Sequence, residues 1–314
     1  MRNLSSDILG ILYPKKTISH DTILFTCGVS RSGTTLLTTI LDSHRLITMG
    51  YELIPPPLPE PLTIVNILNE GLSMKEGDFS KCGPALRKKG YADIGQWLAR
   101  CHRAGANADD VKEVLYDIQN QGSRRVYTLV QRINLAYLIA KRIQIKTGAA
   151  IFGFKFNNSH FKLGHKIFPG GYYIYIIRDP RDVAASQKQR GFDRTTKQIC
   201  RDWNRYINAF MKFNAEHPHI SQIIRYEDLV SQPLNTISKL FEKLPISFEE
   251  GVLKFYESKA SVHNSKHPNA ENLKQDFFTD SIGRWKNQLN RDDLDVIGKT
   301  CSKYMKAFKY ETAN

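Results

Sequence analysis

Long apolar runs are missing from this sequence. The longest, such as YYIYII from Tyr172 to Ile177, are far too short to span a bilayer. Cysteine is scarce: Cys27, Cys82, Cys101, Cys200 and Cys301 are scattered, with no C-x-x-C pair. That spacing argues against a disulfide framework or a structural zinc site, and the five read as reduced, mostly structural thiols. No Pro/Gly/Ser linker, repeat or low-complexity block divides the 314 residues, so a single domain over 1–314 is expected. The amino end, MRNLSSDILGILYPKK, has neither the apolar core nor the cleavage site of a secretory signal, and a soluble, cytoplasmic protein is expected. Acids are also few, 31 against 45 lysines and arginines, which leaves a formal charge of +14. That excess suits an anionic ligand and equally a partner such as nucleic acid or an acidic polymer, so charge alone does not choose.

What is present alternates between two periods. TILFTC (Thr22 to Cys27), LITM (Leu46 to Met49), AIFGFKF (Ala150 to Phe156), YYIYII and SQIIRY (Ser221 to Tyr226) read as short buried strands. Helical spacing follows the first of them at Leu36, Leu37, Ile40 and Leu41, and recurs from Ile94 to Leu115 and from Leu129 to Ile143. The prolines of GYELIPPPLPEP forbid regular structure there. Strands alternating with helices predict an α/β, P-loop-like three-layer fold with a central, mostly parallel sheet flanked by helices. Its core is expected at about 22–289, with a helical insertion at about 60–145. Ligands of such sheets gather beyond the carboxyl ends of the strands. The residues there are Arg31, Glu52, Lys155, Arg178 and Tyr226, one per strand.

A lysine is absent where one would be looked for. CGVSRSGTTLL, Cys27 to Leu37, has the G-x-x-x-x-G spacing of a phosphate-binding loop in Gly28 and Gly33, yet Thr34 and Thr35 follow in place of lysine and serine or threonine. A cation stands within the loop instead, at Arg31. Backbone amides of a glycine loop and a helix amino terminus bind an anion without any side chain. The lysine and magnesium apparatus of a triphosphate hydrolase is missing, so the loop is expected to hold phosphate without hydrolysing a nucleoside triphosphate. In IIRDPRDVAASQKQR (Ile176 to Arg190), Arg178 leaves a strand, Pro180 can start a helix, and Ser186 lies two turns into it. A guanidinium and a hydroxyl so placed suit a second phosphate. The alternative is that Arg178 and Asp179 simply pair with each other and with neighbouring charges at the helix start.

GVSRSGTTLL followed by IIRDPRDVAAS resembles the paired signatures of sulfotransferases that use 3′-phosphoadenosine 5′-phosphosulfate, PAPS. The resemblance extends to RYEDLV (Arg225 to Val230) and SIGRWKNQL (Ser281 to Leu289). It implies a transferase that moves the sulfuryl group of PAPS to an acceptor. The first loop, with Arg31, Ser32, Gly33, Thr34 and Thr35, would hold the 5′-phosphosulfate. Arg178 and Ser186 would hold the 3′-phosphate, with Tyr226 and Arg284 completing the cofactor-binding set. Within the family, GVSRSGTTLLTTILDSHRLITMGYELIP is most similar to tyrosylprotein sulfotransferases and their bacterial relatives. By that likeness Glu52 is the general base, Lys155 contacts the sulfuryl group, and Arg31 is the cation at the leaving phosphate. The scheme needs no metal. Those enzymes carry two adjacent acids and a nearby arginine for acidic peptides, whereas Tyr51 and Leu53 flank Glu52 here. These neighbours and the prolines are expected to bury Glu52 in part, which would favour a base.

His160 in FNNSHF is the rival base, because other sulfotransferases use a histidine. Trp203 and Trp285 are expected in the core rather than stacked on adenine, and RKKG (Arg87 to Gly90) and GSRR (Gly122 to Arg125) as solvated surface. The acceptor is expected to be a small molecule, a sugar or a peptide, presenting O–H or N–H, with no nucleic acid and no membrane partner; a homodimer is allowed. Specificity would lie between Pro55 and about Arg125. Two other classes compete: a P-loop nucleoside or nucleotide kinase, which would need the lysine that Thr34 replaces, and a non-catalytic basic module for nucleic acid or polyanion, which would leave the strand-end residues unexplained.

Overall fold

The computed structural model describes residues 22–122, 126–156, 161–258 and 271–310. His160, the stretch before Thr22 and residues 123–125 lie outside them. In chain order the first elements are strand β1 (Ile23–Gly28), helix α1 (Thr34–Asp42) and strand β2 (Ile47–Gly50). Five helices follow: α2 (Pro61–Ser73), α3 (Phe79–Lys88), α4 (Ala92–Arg103), α5 (Ala108–Asn120) and α6 (Leu129–Thr147). Next come β3 (Ile151–Lys155), α7 (Phe161–Ile167), β4 (Tyr172–Ile177), α8 (Pro180–Gln189) and α9 (Thr196–Glu216). The chain continues through β5 (Ser221–Arg225), α10 (Tyr226–Ser231), α11 (Pro233–Phe241) and α12 (Arg291–Ala307), with 3-10 turns at Glu250–Glu257, Glu271–Leu273 and Arg284–Asn287. No helix among the described residues is long and apolar enough to cross a membrane.

All four strand pairings are parallel, in the order β2-β3-β1-β4-β5. The strands read as near-continuous apolar runs because both faces of the sheet are covered. Phe25, Cys27, Phe152, Phe154, Tyr173 and Tyr175 face the larger core, where Trp97, Trp203 and Phe210 pack. Leu24, Ile174, Ile176 and Ile224 face the other, closed by Leu37 and Ile40 of α1 and by Leu229 and Ile237 of α10 and α11. From β1 the chain leaves toward β2 on one side, and from β4 toward β5 on the other. The loops after β1 and β4 therefore flank the crevice where the order reverses, the usual ligand position in such sheets.

Capping fixes the helix ends. Thr128 and Gln131 form a capping box at the start of α6, and Gly148, at φ 68°, ends it. The continuous helix expected from Ile94 to Leu115 is instead two. Gly105 takes φ 98°, and Asn107 and Asp110 cap each other's backbone to restart the chain as α5. The helices from Pro61 to Lys88 fall within the helical insertion expected at about 60–145, and they lie beside α4 and α5. As the prolines imply, residues 51–60 have no regular element. The loop is fastened instead: Trp97 Nε1 donates to Leu53 O at 3.0 Å and Arg132 Nε to Pro55 O at 2.6 Å.

Candidate active site

The loop after β1 turns through two left-handed residues, Arg31 at φ 75° and Gly33 at φ 94°. At Gly33 a Cβ would meet Tyr226 Cδ2 at 2.5 Å, so the aromatic ring after β5 packs directly on the loop backbone. No side chain caps α1, and its first turn carries no acid. Its amino-terminal amides are thus left for an outside acceptor, at the positive end of the helix dipole. Thr34 and Thr35 open that helix.

Arg178 emerges from β4 and is only 6% exposed. Its Nη1 donates to Arg31 O at 3.2 Å, its Nη2 donates to Ser281 O, and its guanidinium lies 4.4 Å from the centre of the Tyr226 ring. Of the expected alternative, the pair with Asp179 does not form, because Asp179 binds Arg181 at 2.7 Å, but a neighbouring charge at the helix start does meet Arg178: Arg178 Nη2 lies 4.0 Å from Asp182 Oδ2. Arg178 Nε is buried without a partner among the described residues, as is Ser32 Oγ. Ser186, on α8, accepts from Arg31 Nε at 3.0 Å, joining the two sequence motifs. Asp182 accepts from the backbone N–H of Gly283 at 2.8 Å and of Trp285 at 3.1 Å, and so seats the turn that carries Arg284. Burial raises the Asp182 carboxyl above its ordinary value, opposed by these two amides and by Arg178.

The five strand-end residues, Arg31, Glu52, Lys155, Arg178 and Tyr226, line one cavity of about 490 Å³. Gly33, Thr34, Thr35, Ser186 and Arg284 also line it, and only Ser32 of the expected set does not. The charge inside is lopsided. Burial, then Arg190, Arg178 and Arg284 in turn, lowers the Arg31 guanidinium from its ordinary value. Four guanidinium groups held this close are costly unless an anion joins them.

At the other end, Lys155 Nζ lies 2.7 Å from Glu52 Oε1 and Arg100 Nη2 lies 3.1 Å from Glu52 Oε2. Glu52 itself has a left-handed backbone, φ 55°. Of the four non-glycine residues with positive φ among those described, two are thus Arg31 and Glu52. Backbone strain of this kind concentrates at functional sites. Glu52 is partly buried, as expected: Tyr51 and Leu53 turn into the core, and the Glu52 side chain between two cations is 37% exposed.

Sequence reasoning missed Arg100, Arg190 and Phe192. Arg190 had a readable signal, since it stands four residues after Ser186 and closes α8 on the same side. Arg100 had none, because only the packing of the inserted helices carries it to Glu52. Trp203 is a core residue as expected, donating from Nε1 to Arg178 O at 3.0 Å. Trp285 is corrected: it is only half-buried, and the Arg181 guanidinium covers its ring at 4.1 Å. Lys88, Lys89 and Arg87 are exposed, as expected.

Residues 24–250, well over half of the chain, match the pattern of the sulfotransferase family. The chain belongs to that family. Among solved structures this sulfotransferase is similar to the sulfotransferase domain of the Synechococcus PCC 7002 olefin synthase, with TM-score 0.61 and 16% identity, covering 96% of this chain and 98% of that one. It is similar also to the sulfotransferase domain from the curacin biosynthetic pathway, with TM-score 0.57 and 18% identity over 93% and 99% of the two chains. Both likenesses are of fold. Carbohydrate sulfotransferase 1 of Danio rerio is 23% identical over 169 residues, 45% of this chain and 38% of that protein. The match therefore spans well under half of that relative.

Proposed function

We propose that the enzyme takes PAPS as donor and transfers its sulfuryl group to a hydroxyl or amine of a small-molecule, sugar or peptide acceptor. The observation that carries this reading is the joining of Arg31, Arg178, Arg190 and Arg284 in one cavity with Glu52 and Lys155. The residues suit the donor. Arg178 Nε and the uncapped start of α1 both lack partners that phosphate oxygens would provide. PAPS supplies the activated sulfuryl group. Arg31, Thr34, Thr35 and the Gly33 amide would bind the 5′ end; Arg178 and Ser186, with Arg190 beside them, would bind the 3′-phosphate. Tyr226 and Arg284 close this side.

Glu52 receives the acceptor's proton at a carboxylate oxygen. Lys155 and Arg31 offset negative charge that develops across the reacting oxygens, a role in which fixed cations out of bulk water are most effective. The name of the Danio rerio relative supports a sugar hydroxyl among the acceptors. We read residues 1–314 as one catalytic domain, with the core at 22–289 and the helical insertion at about 60–145. The five free, buried cysteines support a reducing compartment such as the cytoplasm. The experiment is incubation with 35S-labelled PAPS and fractions of small molecules, oligosaccharides and peptides, followed by mass spectrometry of each labelled product. A gain of one sulfuryl group on an acceptor, abolished by Arg31→Ala, is expected. No labelled product from any class, with the donor intact, contradicts the reading.

A further inference from the structure

Helices α9 and α12 pack along one another, and a groove of about 790 Å³ is lined by residues of both. None of these residues belongs to the wall of the catalytic cavity. Lys197, Arg201 and Arg205 recur every four residues on α9 and so form one row, about 12 Å long at the helical rise. Lys303 joins them from α12. All four side chains are exposed, and no carboxylate lines the groove. Arg205 has a counter-charge in Asp202, whose Oδ1 lies 3.0 Å from Arg205 Nη2, and Asp202 also pairs with Arg194. Lys197, Arg201 and Lys303 form no ion pair among the described residues. Like charges four residues apart on a helix repel, so the row costs α9 stability that an anion laid along it restores.

The groups between the cations decide what kind of anion fits. They are neutral and hydrogen-bonding: Gln198, Asn204 and Asn208 of α9, and Thr300 of α12. Asn204 Nδ2 donates to Thr300 O at 2.6 Å, while its Oδ1 is buried and has no partner among the described residues. A buried acceptor in that state calls for a donor. The matching ligand is therefore anionic and also carries hydroxyl donors. A single-stranded nucleic acid would want exposed aromatic faces for its bases, and Tyr304, the only ring in the lining, is buried with its hydroxyl donated to Asn208 Oδ1 at 2.7 Å. A protein partner would be anchored by a large side chain in an apolar pocket, and no aliphatic residue lines this groove. We infer that the groove between α9 and α12 binds an anionic oligosaccharide, with carboxylate or sulfate groups on Lys197, Arg201 and Lys303 and sugar hydroxyls on the amide side chains. Its volume falls among ligand-sized clefts, about 300–1,000 Å³. The site is separate from the catalytic cavity, and the inference does not depend on which acceptor is used there.

The test uses the whole protein with saturating adenosine 3′,5′-bisphosphate, so that the arginines of the catalytic cavity do not capture the probe. Calorimetry with a chondroitin sulfate hexasaccharide should show binding that weakens as salt rises, and neutral maltohexaose should not bind. Hexaglutamate and an oligothymidylate of matching charge should bind at least about tenfold more weakly, because neither sets hydroxyl donors among its charges. Arg201→Glu with Lys303→Glu should weaken the hexasaccharide by at least about tenfold, the scale of losing charge-assisted bonds. Lys75→Glu with Lys239→Glu makes the same change of net charge at exposed lysines elsewhere, and should cost less than about twofold. Melting temperature and turnover of PAPS should match wild type in both pairs of substitutions. Hexasaccharide binding that survives Arg201→Glu with Lys303→Glu, or that falls equally in the control pair, overturns the site. Hexaglutamate or oligothymidylate bound as tightly as the sugar overturns the assignment of its ligand. If instead the hexasaccharide binds as expected while the protein transfers nothing from PAPS, the catalytic reading fails and this one stands.

Discussion

Glu52 and Arg178 carry opposite ends of the account, and single substitutions separate them. Glu52→Gln keeps the shape and a hydrogen-bonding oxygen but removes the base, whose contribution is typically about 10² to 10⁴ in rate. Turnover should fall by that range while adenosine 3′,5′-bisphosphate still stabilises the protein as in wild type. Steady-state kinetics beside a melting titration reads both. Arg178 is also structural, since it stacks on Tyr226 and donates to the Arg31 and Ser281 carbonyls, so truncation would confuse binding with folding. Arg178→Lys keeps the charge and loses the fork. It should weaken adenosine 3′,5′-bisphosphate by about 1.5–3 kcal/mol, the scale of a charge-assisted bond, and leave adenosine 5′-phosphosulfate nearly unaffected. Equal losses for both ligands by calorimetry would assign Arg178 to the fold alone.

Among the elements, the loop between β1 and α1 was the most legible and the inserted helices the least. Each part of CGVSRSGTTLL has a local reason: an apolar strand before, a glycine where the chain turns left-handed, a helix with Leu37, Ile40 and Leu41 on its buried side. The strands were readable because burial on both faces leaves unbroken apolar runs, and all five lie within one residue of each end expected. β3 was expected to begin one residue earlier and to end at Phe156, which is buried just past the strand end. Residues 61–120 obey a different logic. Their helices are set by contacts with one another and by caps such as Asn107, so neither the break at Gly105 nor the approach of Arg100 to Glu52 follows from local pattern. Gly33→Ala tests the loop. A methyl at φ 94° is strained, and its contact with Tyr226 at 2.5 Å leaves the ring no room. The substitution should destabilise the protein by about 1–3 kcal/mol, the usual cost of such a backbone position. Its chemical-denaturation midpoint should fall, and bisphosphate binding should weaken with it. A variant with wild-type midpoint and affinity would show that the loop geometry matters for neither.

For the whole molecule, a five-stranded parallel sheet brings residues 31, 52, 155, 178 and 226 to one edge, though they are spread over nearly two hundred positions of sequence. The excess of +14 is in part gathered there, in Arg31, Arg178, Arg190 and Arg284. The central claim is that this cradle is made for a 3′,5′-bisphosphate. Thermal unfolding with adenosine 3′,5′-bisphosphate, in buffer containing a chelator, tests it most directly. At a ligand concentration one hundred times the dissociation constant, mass action gives about 2.7 kcal/mol of stabilisation. The account predicts a clear rise in Tm that does not depend on magnesium and exceeds that given by ATP with magnesium. No rise at millimolar bisphosphate, or a larger one with magnesium ATP, would contradict it.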